Sequence, residues 1–325
     1  MSGEAPLITV AIPAYDRPEL LHETLASLAA QTHRGWEVVV CDDLRREETR
    51  RIVARFPADR FAYAPNPGAP GAIANWNRCL RAGRAPWVTV LHEDDTLYPW
   101  WLAAVAGELH GATVAVAVKT VQGAAPPPIP APVGVGVGLD LDPGPRSGSG
   151  VGQRTALRAP RSPGARRYPP RWFLKSAMTP FPGVAIRRDV AERLGGFDEC
   201  WGPIADYEFW YRLACAGPVV QVDAIGAFYR VSPGQWTERA WGRMLPLAHL
   251  LRLRIAREQF AGSPRIGRWL ARFFTYRQAR AYARRFPERP ASLARALRLG
   301  RIPLAGLPSG WVWQALQAMT ARPLP

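Results

Sequence analysis

Over the first 120 residues, short apolar blocks alternate with longer mixed segments, and each block closes on a polar turn. Ile8–Tyr15 is a continuous apolar run that ends at Pro13, the pattern of a strand buried on both faces. Asp16 and Glu19 have capping-box spacing, with Pro18 in the first turn, and predict a helix reaching about Gln31. Trp36–Val40 is a second buried strand, closed by Cys41-Asp42-Asp43. Arg45–Phe56 reads as a helix, Phe61–Ala64 as a short strand, and Asn66-Pro67-Gly68 as a turn. Ala72–Ala82 is helical. Trp87–Leu91 is a strand that ends on His92-Glu93-Asp94-Asp95. A helix over Trp100–Leu109 and a strand over Thr113–Val118 follow. Four rounds of strand and helix predict an α/β fold with a mostly parallel sheet and helices on both faces. In such a sheet ligands sit beyond the carboxyl ends of the strands, and the polar clusters at Tyr15, Asp42-Asp43 and His92–Asp95 all fall there.

The pattern then breaks. Pro126-Pro127-Pro128, the Val-Gly alternation from Val133 to Gly138, and Ser147–Gly152 make residues 122–170 a low-complexity insert, expected to be a flexible loop. Gly183–Ile186 is strand-like, Asp189–Leu194 a short helix, Asp206–Ala216 a helix and Val219–Val222 a strand. From residue 238 onward the chain reads as helices rich in Arg, Leu and Trp. The expected division is therefore 1–237 for the sheet domain and 238–325 for a basic helical extension.

Charge sharpens that division. Of the formal net charge of +16, nearly all lies in Arg239–Pro325, where 17 arginines face two acids, Glu258 and Glu288. Leu250–Phe260 and Trp269–Phe286 interleave arginines with large apolar residues, the composition of a helix lying on an anionic bilayer surface. Helices packed on the domain or against a second chain would read the same way. No RNA-binding motif accompanies the tail, so nucleic acid is not an expected partner. Four scattered cysteines, with no metal-ligand spacing, fit a reducing compartment. Met1–Val10 lacks a basic-then-apolar leader, and no run of about 18 apolar residues suggests a membrane span. The expected location is cytoplasmic, with peripheral contact at the inner membrane face.

Three consecutive acids at a strand end repel one another unless a cation is near. Glu93-Asp94-Asp95 thus reads either as a solvated acidic turn or as a site for Mg²⁺ or Mn²⁺ bridging carboxylates to a diphosphate. Asp43 reads as a nucleoside contact or a helix cap. Asp206 reads as an N-cap or as a general base at a helix end. Gly68-Ala69-Pro70-Gly71 lacks GxGxxG spacing and a Walker lysine, which disfavours Rossmann and P-loop readings, and no GxSxG, HExxH or EF-hand pattern is present.

Six segments in order resemble family 2 glycosyltransferases with the GT-A fold. They are Ile8–Arg17, Leu25–Thr32, Trp36–Asp43, Asn75–Arg78, His92–Asp95, and Gly195–Glu199 with Asp206–Trp210. The resemblance runs from about Leu7 to Thr237 and skips the insert. It implies that Pro13, Ala14, Tyr15, Asp43, Asn77 and Asp94 bind a nucleotide-diphosphate sugar, that Asp95 binds the divalent metal, and that Asp206 is the catalytic base of an inverting displacement. The implied acceptor is a glycan or a lipid-linked saccharide. His92 stands where the family commonly has its first acid, and Ser232 falls near the place of a metal-binding histidine. The QxxRW pattern of processive synthases is missing, which favours adding one sugar or a few. Two other classes stay open on the residues: a sugar nucleotidyltransferase, which the glycine-poor Pro13–Arg17 turn disfavours, and a non-catalytic polyanion binder acting through the tail.

Overall fold

The computed structural model describes residues 6–126, 164–177, 180–232 and 235–285. Its strands are β1 (Ile8–Ala14), β2 (Trp36–Asp42), β3 (Phe61–Pro65), β4 (Trp87–Val90), β5 (Thr96–Leu97), β6 (Ala115–Gly123), β7 (Ala165–Arg167), β8 (Ala185–Arg187) and β9 (Val219–Arg230). They form one sheet in the order β3-β2-β1-β4-β8-β6-β9-β5, with β7 added on β9. Strands β1 to β4 are parallel, and so are β6 and β9, whereas β5, β7 and β8 run antiparallel to their neighbours.

The helices are α1 (Pro18–Ala29), α2 (Glu47–Val53), α3 (Ala72–Arg81), α4 (Trp101–Ala106), α5 (Arg188–Arg193), α6 (Ala205–Ala216), α7 (Trp236–Gln259) and α8 (Pro264–Arg285). The apolar runs read as buried strands carry a two-sided core. In β2, Val38 and Val40 join one cluster with Leu21, Leu25 and Leu28 of α1. Val39 and Cys41 point the other way and join a second cluster with Trp76 and Leu80 of α3. This is the period-two alternation of a strand covered on both faces.

Several expected boundaries move, each for a local reason. Asp16 does not cap α1: Arg17 holds the N-cap position without a side-chain cap bond, and Asp16 pairs with Arg46 at 2.8 Å. The helix expected from Arg45 starts at Glu47, because Asp42 takes the N–H groups of Leu44 and Arg46 and Arg45 adopts φ 58°. β9 runs eight residues past the expected Val222. Its extension contains Gly226, where a Cβ would come within 2.9 Å of Val118 and 3.0 Å of Trp101. Close packing, not strand propensity, selects the small residue there. The end of the 122–170 insert is also ordered, since β7 pairs with Val220–Val222 of β9. The flexible-loop reading of 127–163 lies outside the described residues, as do the helices expected beyond 285.

The division at 237/238 falls inside α7. Leu251, Ile255, Leu270 and Phe274 of α7 and α8 belong to the same core cluster as α3 and α6. Arg252, only 1% exposed, donates from Nε to the Leu174 carbonyl at 3.0 Å. Arg254 donates to Glu208 of α6 at 2.9 Å, and Tyr211 of α6 donates to Glu258 at 2.6 Å. The apolar faces of the basic helices are therefore used within the fold. Among the described residues no helix is long and apolar enough to cross a membrane.

Candidate active site

Parallel register brings the carboxyl ends of β1, β2 and β4 together. Ala14 pairs with Asp42 across β1 and β2, Asp43 N–H donates to the Ala14 carbonyl at 2.9 Å, and Leu91 N–H donates to Ala11 at 3.0 Å. Pro13–Tyr15, Asp42-Asp43 and His92–Asp95 consequently border one edge. Tyr15 is 56% exposed there, an unusual position for a large ring.

The two acids that close β2 have different work. Asp42 organises the following turn and accepts from the Tyr63 hydroxyl at 2.9 Å, and burial with that bond pushes the Tyr63 hydroxyl up to about 12. Asp43, 2% exposed, accepts from Asn66 Nδ2 at 2.5 Å and from Gly71 N–H at 2.8 Å, with Arg78 at 3.9 Å. It fixes the 66–71 loop at the edge of the crevice.

The acid turn after β4 is held from several sides. Glu93 reaches back to β1, accepting from Tyr15 N–H at 2.9 Å and Asp16 N–H at 3.4 Å. Burial raises its carboxyl above the ordinary carboxylate value. Asp94 forms an ion pair with Arg17. Asp95 is fully buried; its Oδ1 accepts from Arg230 N–H at 2.9 Å, and its Oδ2 has no hydrogen-bond partner. Burial pushes the Asp95 carboxyl up to about 6. A buried carboxylate oxygen without a donor is costly unless a cation or proton meets it.

His92 lies against that oxygen, with Nδ1 3.7 Å from Asp95 Oδ2, and its ring packs on Trp76 and Phe181. Burial opposes its charge, but Asp95, Asp94 and Asp206 together raise its pKa above the usual value. Donor atoms of His92, Asp94 and Asp95 all lie within 4.8 Å of one another, so the three could ligate one ion. The orphan Oδ2 and the oxygen-rich donor set fit a hard divalent cation.

Asp206 is the second residue of α6, inside the helix rather than at its cap, which is Ile204. It is half-buried, and desolvation pushes its carboxyl up to about 6, against the opposing pull of Tyr207 N–H at 2.7 Å and of His92. His92 thus links Asp206 electrostatically to Asp94 and Asp95. Asn77 is placed differently from the donor contact expected of it. Its Nδ2 donates to the Phe197 carbonyl at 2.8 Å and its Oδ1 accepts from Phe197 N–H at 2.7 Å. It clamps the Gly195–Phe197 turn onto α3, and Gly196, at φ 70°, leaves the room its Oδ1 needs.

Sequence reasoning did not find Arg17, Glu93 as a clamp, or Arg230. Glu93 carried a signal in the triple acid, while Arg17 and Arg230 carried none beyond their neighbours in the motifs.

Residues 9–128 match the family described as Glycosyl transferase family 2. A stretch of 97 residues is 29% identical to the Escherichia coli UDP-Glc:alpha-D-GlcNAc-diphosphoundecaprenol beta-1,3-glucosyltransferase WfgD, covering 30% of this chain and 37% of that protein. A stretch of 118 residues is 31% identical to the succinoglycan biosynthesis protein ExoO of Rhizobium meliloti, covering 35% of this chain and 33% of that one. The matched part therefore spans about a third of the length of these relatives. Among solved structures, a mannosyltransferase from Pyrobaculum calidifontis in complex with GDP-Man and Mn²⁺ shares the fold over 97% of this chain and 85% of its own, with a TM-score of 0.53 at 18% identity. S. aureus TarS 1-349 in complex with UDP-GlcNAc shares it over 77% of this chain and 66% of its own, with a TM-score of 0.53 at 18% identity.

Proposed function

We propose that this chain, whose residues 9–128 belong to glycosyl transferase family 2, moves a glycosyl unit from a nucleotide-diphosphate sugar to an acceptor hydroxyl with inversion. The observation that carries the reading is the grouping of Asp206 with His92, Asp94 and Asp95: a desolvated carboxyl at a helix start, coupled through one imidazole to an acidic turn with an orphan oxygen. In this reading Pro13, Ala14, Tyr15 and Asp43 hold the nucleoside, and Asp94 faces the ribose and diphosphate. Asp206 accepts the proton of the acceptor hydroxyl as that oxygen attacks the anomeric carbon and the nucleoside diphosphate leaves. Mg²⁺ or Mn²⁺ held by Asp95 with Asp94 and His92 would stabilise the charge on the leaving diphosphate. Asn77 acts at one remove, by fixing the turn ahead of α6.

Of the similar proteins, WfgD is named as a glucosyltransferase acting on a diphosphoundecaprenol-linked GlcNAc and ExoO as a succinoglycan biosynthesis protein. We extend that acceptor class, glycan or lipid-linked, to this chain. The outer face of α8 supports docking at an anionic membrane surface: Arg265, Arg268, Arg272, Arg277, Arg280 and Arg284 are exposed, and the helix contains no acid.

The test is a transfer assay with UDP-, GDP- and dTDP-sugars, with and without Mn²⁺, followed by NMR assignment of the new glycosidic bond. Inverted anomeric configuration and release of the nucleoside diphosphate are expected. Retained configuration, or pyrophosphate release from a nucleoside triphosphate with a sugar phosphate, would remove the proposal.

A further inference from the structure

We infer that Arg230, the last residue of β9, is a positioning residue that sets the Asp94-Asp95 turn; the inference rests on the reading of those acids given above. Arg230 is 7% exposed and every part of it is engaged. Its main-chain N–H donates to Asp95 Oδ1 at 2.9 Å, and its Nε donates to the Asp94 carbonyl at 2.9 Å. Nη1 donates to the Ala124 carbonyl at 3.0 Å, and Nη2 donates to Glu23 Oε2 of α1 at 2.6 Å. The Gln235 amide in turn donates to the Arg230 carbonyl at 2.5 Å. The register Thr96 to Phe228 between β5 and β9 delivers Arg230 to the turn.

This arrangement has a consequence for which oxygens remain available. Asp95 Oδ1 is taken by the Arg230 main-chain N–H, and Oδ2 has no hydrogen-bond partner. The Asp94 main chain is pinned through its carbonyl, so its carboxylate stays free to meet Arg17. Arg230 leaves the carboxylate charges of both acids uncancelled, because its own ion-pair partner is Glu23. Its role is geometric: it joins α1, the end of β6 and the acid turn through one rigid fork. A lysine offers a single point of donation and cannot reach three separate acceptors in this way. Residues that orient metal-binding groups from behind typically change metal affinity about 10- to 100-fold when replaced.

The test compares the full chain with Arg230→Met, Arg230→Lys and Glu23→Gln. Mn²⁺ binding is read by EPR, and amide hydrogen exchange over residues 92–97 is read without metal. For Arg230→Met we expect Mn²⁺ binding weakened about tenfold or more. We also expect exchange at 92–97 accelerated about tenfold while residues 36–42 keep wild-type rates, the ordering free energy of the turn being local. Arg230→Lys should not restore either, and Glu23→Gln should shift both in the same direction by less. If Arg230→Met does not fold, Glu23→Gln alone decides. Wild-type Mn²⁺ affinity and wild-type exchange at 92–97 in a folded variant would overturn the inference. Should the wild-type chain neither bind Mn²⁺ nor transfer sugar, the reading of the site fails, and the metal-free exchange comparison still decides the role of Arg230.

Discussion

Truncation after residue 238 is the sharpest structural perturbation. A basic extension separable from the sheet domain would be removed without harm, but α7 and α8 seat Leu251, Ile255 and Leu270 at 0% exposure and Phe274 at 3% in the core shared with α3 and α6. Each such side chain contributes about 1.5–3 kcal/mol when buried, or about 6–12 kcal/mol together. A whole domain of this kind is stable by only about 5–15 kcal/mol. Truncation also removes Arg254, leaving the buried Glu208 with Arg212 alone, and Glu258, the acceptor for Tyr211 on the helix that carries Asp206. The shortened chain should therefore lose its cooperative unfolding transition in urea, read by near-UV circular dichroism, and with it any thermal stabilisation by nucleotide sugars. A chain ending at 238 that unfolds cooperatively and keeps its donor response would refute the reasoning.

Asp206 must be ionised to accept a proton and its carboxyl lies at about 6, so kcat should fall as pH drops through about 6 and level off above it. The same shift sets a stability slope. The folded form holds a proton that the unfolded chain, with the ordinary value of 3.8, has released, so stability declines as pH rises from about 4 to 6. Asp206→Asn should thus melt higher than the parent at pH 8 and equally near pH 4, measured by calorimetry. Gly196→Ala places a side chain at φ 70° and 2.3 Å from Asn77 Oδ1, and should cost at least about 1–2 kcal/mol in urea denaturation. Asp95→Asn removes the orphan carboxylate oxygen and should abolish Mn²⁺ binding seen by EPR while leaving the melting temperature at or above that of the parent.

The sheet's first half was legible because its strands are apolar on both faces and their turns carry distinct punctuation, as at Pro13 and Asp42-Asp43. The second half of β9 was not: Ala224 and Gly226 are poor strand formers, and Gly226 is kept small by Val118 and Trp101, which lie far away in sequence. The acids were visible as a cluster, but their division of labour was hidden. Asp42 and Asp43 are adjacent and chemically identical, and only the register with β1 and the 66–71 loop separates turn-holder from crevice edge. Asn77 sits in a motif that suggests donor contact, yet a bond to a residue 120 positions away decides its place. The tail's arginines suggested a separate surface helix because composition does not reveal that Arg252 is enclosed beneath α8 and hydrogen-bonded to Leu174 and Thr275.

The central claim is that Asp206 acts as a base beside a donor site it does not itself build. Parallel titration and turnover of Asp206→Asn tests it most directly. The variant should show a kcat about 10²- to 10⁴-fold lower with the dissociation constant for the nucleotide sugar within about threefold of the parent, a difference of less than about 0.7 kcal/mol. Turnover at the parental rate with the donor bound would contradict it.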